Sequence, residues 1–120
     1  MIYDLIVIGA GASGLLVASM VSENQKVLII EKNEKPGKKL KITGKGRCNI
    51  TNSRPINEFF DEVFSNSKFL FSSFYEFTNY DLLDYLKEKG LNTKTERGGR
   101  VFPFTDKSTD VIDALYSNSK

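Results

Sequence analysis

The sequence contains no histidine and no tryptophan, and only one cysteine among its 120 residues. Without imidazole, proton transfer by histidine and a Ser-His-Asp triad are both excluded. Zinc sites with histidine ligands are excluded too, and one cysteine cannot build a thiolate site. The lone Cys48 rules out an internal disulfide framework and suits a reducing compartment. No apolar run is long enough to cross a membrane. The apolar start carries Asp4, lacks a basic flank and breaks at glycines, so it is not read as a secretory signal. A net charge of +2 is too small to imply nucleic acid by itself. The expected location is the cytoplasm, and any chemistry is expected to be carried by a cofactor.

What is present is the composition of an ordinary soluble chain, 40% apolar and 27% charged, with room for one small domain. The organising stretch is MIYDLIVIGAGASGLLVASMVSENQKVLIIEK. Ile2 to Ile8 reads as a buried parallel strand. Gly9-Ala10-Gly11-Ala12-Ser13-Gly14 then fits G-x-G-x-x-G. A helix starting near Ala12 or Ser13 carries Leu15, Leu16, Val17, Ala18, Met20 and Val21. Lys26 to Ile30 reads as a second strand, ending at Glu31. Each part suits a dinucleotide. Gly9 allows the tight turn, Gly11 lets a pyrophosphate approach the backbone, and Gly14 lets the helix pack close to the strands. The helix start offers N–H groups and partial positive charge to the pyrophosphate. Glu31, about 20 residues beyond Gly11, can accept from ribose hydroxyls. An acid there also disfavours the 2′-phosphate of NADP at this site.

Lys32 to Asn52, KNEKPGKKLKITGKGRCNITN, is polar, glycine-rich and locally basic, and reads as a long loop. Its composition fits a solvated loop and a dinucleotide-facing loop equally. Pro55 to Phe77 holds seven phenylalanines and reads as two short helices broken near Ser65-Asn66-Ser67, with the rings expected in core packing or against a further part of the protein. Thr78 to Gly90 reads as a capped helix, with Thr78 and Asp81 as a capping box and Gly90 as its stop. Leu91 to Glu96 and Arg100 to Phe104 flank Gly98-Gly99 as a hairpin, with Pro103 at a strand end or edge. Ser108 to Ser117 reads as a last helix capped by Ser108.

The pieces GAGASG, Glu31-Lys32, GKKLKITGKGRCNITN and GRVFPFTDKSTDVIDAL resemble the HI0933-like family of bacterial FAD-dependent oxidoreductases. The block GKKLKITGKGRCNITN is the most specific of them. The resemblance implies that the turn holds the FAD pyrophosphate, the acid holds the adenosine ribose, and the GKGRCN segment runs beside the flavin. By position the implied cofactor-binding residues are Gly9, Gly11, Ala12, Ser13, Gly14, Glu31, Lys32, Lys39, Leu40, Thr43, Gly44, Gly46, Arg47, Cys48 and Asn49. No partner cysteine follows Cys48, so a dithiol relay is excluded, and a small residue packed near the cofactor is the favoured reading. The expected fold is α/β: a Rossmann-like β-α-β unit binding FAD or NAD(P), then short helices and a β-hairpin, with an incomplete parallel sheet. Residues 1–120 are expected to form the N-terminal part of a longer FAD-binding domain, inactive alone. The expected partners are the remainder of the protein, a small-molecule substrate and, as one electron source, NAD(P)H, with no membrane and no nucleic acid. The alternatives are an FAD-binding tRNA-modification protein, in which the lysine-rich loop meets RNA, and a non-catalytic dinucleotide-binding remnant.

Overall fold

The computed structural model describes residues 1–21 and 23–116. Strand β1 (Leu5–Ile8), helix α1 (Ala12–Ser19) and strand β2 (Val27–Ile30) form the β-α-β unit. The two strands pair in parallel, Leu5 opposite Val27 through Ile8 opposite Ile30. Right-handed crossover through a helix is the ordinary way to join parallel neighbours. Strand β1 is shorter than the apolar run that predicts it, because β2 offers a partner only from Val27 onward. Asp4 closes the start of the ladder instead, its carboxylate accepting from the Lys26 N–H at 2.7 Å. Among the described residues this sheet has two strands, and Ile6, Ile8 and Ile30 are exposed on it. The incomplete parallel sheet expected from the sequence is therefore what forms.

The segment read as one long loop contains helix α2 (Lys38–Ile42). Three lysines conceal it, because an amphipathic pattern needs more than five residues to be legible. Gly37 starts it in the left-handed region at φ +70°, where glycine carries no Cβ penalty. Helix α2 packs against the last helix, α5 (Ser108–Tyr116), and the Ser108 hydroxyl donates to the Lys41 carbonyl at 2.6 Å. Ser108 thus ties two helices together from the first turn of its own. Ser117, expected in that helix, lies outside the described residues.

The aromatic segment is helical, as its periodicity predicts, but its location differs. Two 3₁₀ segments, Ile56–Glu62 and Ser67–Leu70, lead into α3 (Phe71–Glu76), and none of these elements contains a buried residue. Asn66, in the expected break, takes φ +55°. The rings pack on one another: Phe60 lies 5.2 Å from Phe74 and 6.0 Å from Phe71, and Phe59 meets Phe74 edge-on. Phe64 and Phe69 point outward. The expectation of core packing fails because the core is filled by other elements.

That core gathers Ala10 and Leu15 from the first unit, Cys48, Leu86 and Leu91, and Val111, Ile112 and Leu115 from α5. Each buried leucine contributes about 1.5–3 kcal/mol by leaving water. Leu86 comes from α4 (Asn79–Glu88), where the capping box forms as predicted: the Asp81 N–H donates to Thr78 Oγ1 and the Thr78 N–H to Asp81 Oδ2. Gly90 follows at φ +88°. Strands β4 (Thr93–Thr95) and β5 (Arg100–Pro103) make the predicted hairpin, with Gly98 and Gly99 both at positive φ. A third strand, β3 (Thr51–Asn52), pairs antiparallel with β5 on its other side. No sequence signal marked so short a strand, yet it brings the end of the GKGRCN loop onto the GRVFP strand. Among the described residues, no helix is long and apolar enough to cross a membrane.

Candidate functional site

The glycine turn is built as its spacing demands. Gly9 leaves β1 at φ +97°, and its N–H donates to the Ile30 carbonyl at 2.7 Å. Gly11 is the residue before α1, in extended conformation, and no side chain caps the helix. The first turn also carries no acid, so the helix presents an open, partly positive end. A Cβ at Gly11 would meet nothing within 4 Å, so the approach to the backbone is open there. A Cβ at Gly14 would lie 2.0 Å from the Gly9 carbonyl oxygen and 3.1 Å from Val7 Cγ1. The two glycines therefore serve different ends: Gly14 seats the helix, and Gly11 leaves room beyond it.

Glu31 sits at the end of β2 beside this turn. Its Oε1 accepts from the Ala10 N–H at 2.8 Å, and its Oε2 from the Asn33 N–H at 2.8 Å. These bonds, the Ala10 one foremost, hold its carboxyl below the usual carboxylate range, so it is ionised at neutral pH. Each oxygen keeps a lone pair for a hydroxyl donor. A cleft of about 360 Å³ opens here, lined by Ala10, Val27, Ile29, Glu31, Asn33 and Pro36. Its size lies in the range of small-molecule pockets.

The block GKKLKITGKGRCNITN returns to the same turn. The Gly37 N–H donates to the Ala10 carbonyl at 2.7 Å, and a Cβ on Gly37 would press on Ile112 at 2.9 Å. Leu40 packs on the core. Thr43 ends α2, its hydroxyl donating to the Leu40 carbonyl at 2.7 Å. Then the backbone enters a left-handed run: Gly44 at φ +56°, Lys45 at +58°, Gly46 at +86° and, after Arg47, Cys48 at +62°. For Lys45 and Cys48 this conformation costs about 1–2 kcal/mol each, so tertiary contacts must hold it. The Cys48 N–H donates to the Thr43 carbonyl at 3.0 Å, and a Cβ at Gly44 would lie 2.8 Å from the Asn49 nitrogen. Asn49, with its amide nitrogen turned inward, donates to the carbonyls of Val101 (3.3 Å) and Thr51 (3.1 Å). Cys48 is fully buried in the core beside Ala10 and Leu15, and burial pushes its thiol pKa up. That environment makes a packed, inert thiol.

Arg47 turns away from the glycine turn. It donates to Glu96 Oε2 at 2.5 Å and to Asp106 Oδ1 at 2.8 Å, and its guanidinium stacks 3.9 Å above the centre of the Phe102 ring. Lys94 completes the cluster, 2.6 Å from Asp106 and 3.4 Å from Glu96. Arg47, Glu96 and Lys94 are about one-third exposed and Asp106 is 41% exposed. The opposite charges and hydrogen bonds hold both carboxyls below their usual range and raise Arg47 and Lys94.

The structure thus brings Gly9, Gly11, Ala12, Ser13, Gly14 and Glu31 into one turn, with Leu40 and Cys48 packed behind it. Thr43, Gly44, Gly46 and Asn49 lie on the loop seated against β3 and β5. Lys32 and Lys39 are exposed and belong to none of the described ion pairs. Sequence reading missed Gly37, Glu96 and Asp106. Only a glycine after a proline hinted at the first, and nothing local hinted at the carboxylates. The open helix end, the backbone approach at Gly11 and the ionised acid one strand away fit the pyrophosphate and ribose of a dinucleotide.

A family model described as the HI0933-like protein Rossmann domain matches residues 3–120. The chain belongs to the HI0933-like family. This is the family of FAD-binding Rossmann oxidoreductases that its sequence blocks resemble. Over 114 residues the chain is 31% identical to the ribosomal RNA dihydrouridine synthase of Escherichia coli, covering 94% of this chain and 28% of that protein. It is 32% identical over 112 residues to the 3-dehydro-bile acid delta(4,6)-reductase of Clostridium scindens, covering 91% and 27%. A ribosomal RNA dihydrouridine synthase of Haemophilus influenzae is 30% identical over 98 residues, covering 81% and 24%. The chain spans about a quarter of the length of these curated relatives. As an HI0933-like Rossmann domain, it carries the strand–turn–helix–strand–acid arrangement intact.

Proposed function

We propose that this chain binds the ADP moiety of FAD at Gly9–Gly14 and Glu31, and the flavin side along residues 44–49, as part of an FAD-dependent oxidoreductase. The observation that carries the reading is the uncapped start of α1 with open space at Gly11, one strand away from an ionised Glu31. In this reading the N–H groups of Ala12, Ser13 and Gly14 meet the pyrophosphate. Glu31 accepts from the ribose while its bond to Ala10 fixes the turn. The residue 44–49 loop supplies a rigid wall, and Cys48 fills the space behind it. Bound FAD would supply hydride transfer. NAD(P)H is the proposed electron donor to the full-length protein, and the single buried thiol supports a cytoplasmic setting.

The names of the relatives support a common reaction class. Forming a dihydrouridine and acting as a delta(4,6)-reductase both add hydrogen across a carbon–carbon double bond. We propose reduction of an electron-poor double bond in a small-molecule substrate. The test is direct: FAD should bind the purified chain, ADP should compete with it, and FMN, which keeps the flavin but lacks the ADP moiety, should bind far more weakly than FAD. A chain that takes up neither FAD nor ADP would overturn the reading.

A second reading is favoured by the names of two relatives and by one surface feature. Lys32, Lys35, Lys38, Lys39, Lys41 and Lys45 are exposed and belong to none of the described ion pairs. Exposed cations of this number suit RNA phosphates, and the substrate would then be an RNA base. An RNA mobility shift that weakens steeply with salt supports it; no shift at low salt ends it.

A further inference from the structure

The left-handed run at Gly44, Lys45, Gly46 and Cys48 holds two of the four non-glycine residues at positive φ among the described residues, and Lys45 and Cys48 have no glycine freedom to excuse it. Two local hydrogen bonds span it, from the Cys48 N–H to the Thr43 carbonyl and from the Arg47 N–H to the Gly44 carbonyl. What faces it is the hairpin. Arg47, in the middle of the run, is gripped by Glu96 at the end of β4 and by Asp106 just beyond β5, residues 49 and 59 positions away. Phe102 of β5 lies under the guanidinium and within 3.2 Å of where a Gly44 Cβ would be. Lys94 bridges the two carboxylates and keeps them from repelling each other. Asp106 itself sits at φ +62°, so the clamp is shaped on both sides. A guanidinium bound by two carboxylates and stacked on a ring is fixed in direction as well as in place.

From this we infer that Glu96 and Asp106 are positioning residues: through Arg47 they hold residues 44–49 in the left-handed conformation against which the flavin side is read to lie. Neither carboxylate need touch the cofactor. The cluster sets the loop, and the loop sets the site. The link to the flavin rests on the FAD reading above; the link to the loop does not.

Cys48 is the reporter that separates the two. It is the only cysteine in the chain and is buried within the run, against the core, so a thiol reagent reads the opening of this loop once Tm and the far-ultraviolet spectrum show that the core around it is intact. In the Glu96→Gln, Asp106→Asn double variant, labelling of Cys48 should accelerate at least about tenfold while the far-ultraviolet spectrum stays that of the wild type. FAD affinity should fall by about tenfold or more, and the visible circular dichroism of bound FAD should change shape. Asp106→Glu should recover part of both. Arg54→Ala, which breaks the exposed Arg54–Glu62 pair, should leave both unchanged. Unchanged Cys48 labelling in a folded double variant overturns the inference. Faster labelling with no FAD bound by either protein keeps the positioning role and overturns the FAD reading instead. Should the double variant not fold, the wild type decides: its labelling should quicken as salt screens the cluster, and a flat salt response overturns the proposal.

Discussion

Replacing Gly14 with alanine should destabilise the chain although it improves the helix. In a helix interior, alanine is favoured over glycine by about 1 kcal/mol. Against that stands the contact at the turn. The new Cβ would lie 2.0 Å from the Gly9 carbonyl oxygen, a backbone atom already fixed by the neighbouring Gly9–Ile30 hydrogen bond. Val7 Cγ1 at 3.1 Å blocks sideways relief. Overpacking of this kind costs about 1–3 kcal/mol, and a backbone obstacle puts it at the upper end. The net loss is about 2 kcal/mol, read as a fall in Tm of roughly 6–10 °C in a chain of this size. Thermal unfolding followed by circular dichroism measures it. A Tm equal to or above that of the wild type would refute the reasoning, because it would mean that α1 can shift away from β1 at no cost.

Two further predictions concern parts away from the turn. Thr78→Ala removes half of the capping box on α4 and should cost about 1 kcal/mol, with faster hydrogen exchange at the amides of residues 79–82; unchanged exchange there would deny the cap its role. The Arg47 cluster should give stability a defined pH dependence. Glu96 and Asp106 have folded pKa values below their ordinary 4.5 and 3.8, so their contribution is present above those values and is lost as pH falls through the lowered ones. Arg47 and Lys94 are raised, so the Lys94 contribution is full below its ordinary 10.5 and is lost as pH rises from there through its folded value. Urea midpoints should therefore be level across neutral pH and drop in acid, and the Glu96→Gln, Asp106→Asn variant should flatten that acid drop.

Much of the fold was legible because its signals are local. The β-α-β unit is written in adjacent apolar runs and a glycine turn, the capping box in two residues of one turn, and the hairpin in Gly98-Gly99. Gly14 could be assigned a packing role from spacing alone. Other features lie in long-range contacts. Glu31 was legible as an acid closing the second strand, but not the use of that carboxylate to tie β2 to Ala10. Arg47 reads as one more base in a lysine-rich loop that the resemblance sets beside the flavin, and only the fold reveals two carboxylates and a ring waiting for it. The phenylalanines announced helices. Their periodicity could not say that α1, α4 and α5 would fill the core first, leaving those rings to pack on each other. Strand β3 is two residues long and exists only because β5 is there to pair with it.

The central claim is that the turn at Gly9–Gly14 receives a pyrophosphate, and Gly11 tests it most directly. Its backbone has an ordinary φ of −87°, and a Cβ there would meet nothing within 4 Å. Gly11→Leu should therefore leave Tm unchanged or slightly raised, while FAD titration shows affinity lost by about a hundredfold or more, as expected when a side chain fills the space a diphosphate needs. Unchanged FAD affinity in a folded Gly11→Leu protein would contradict the account.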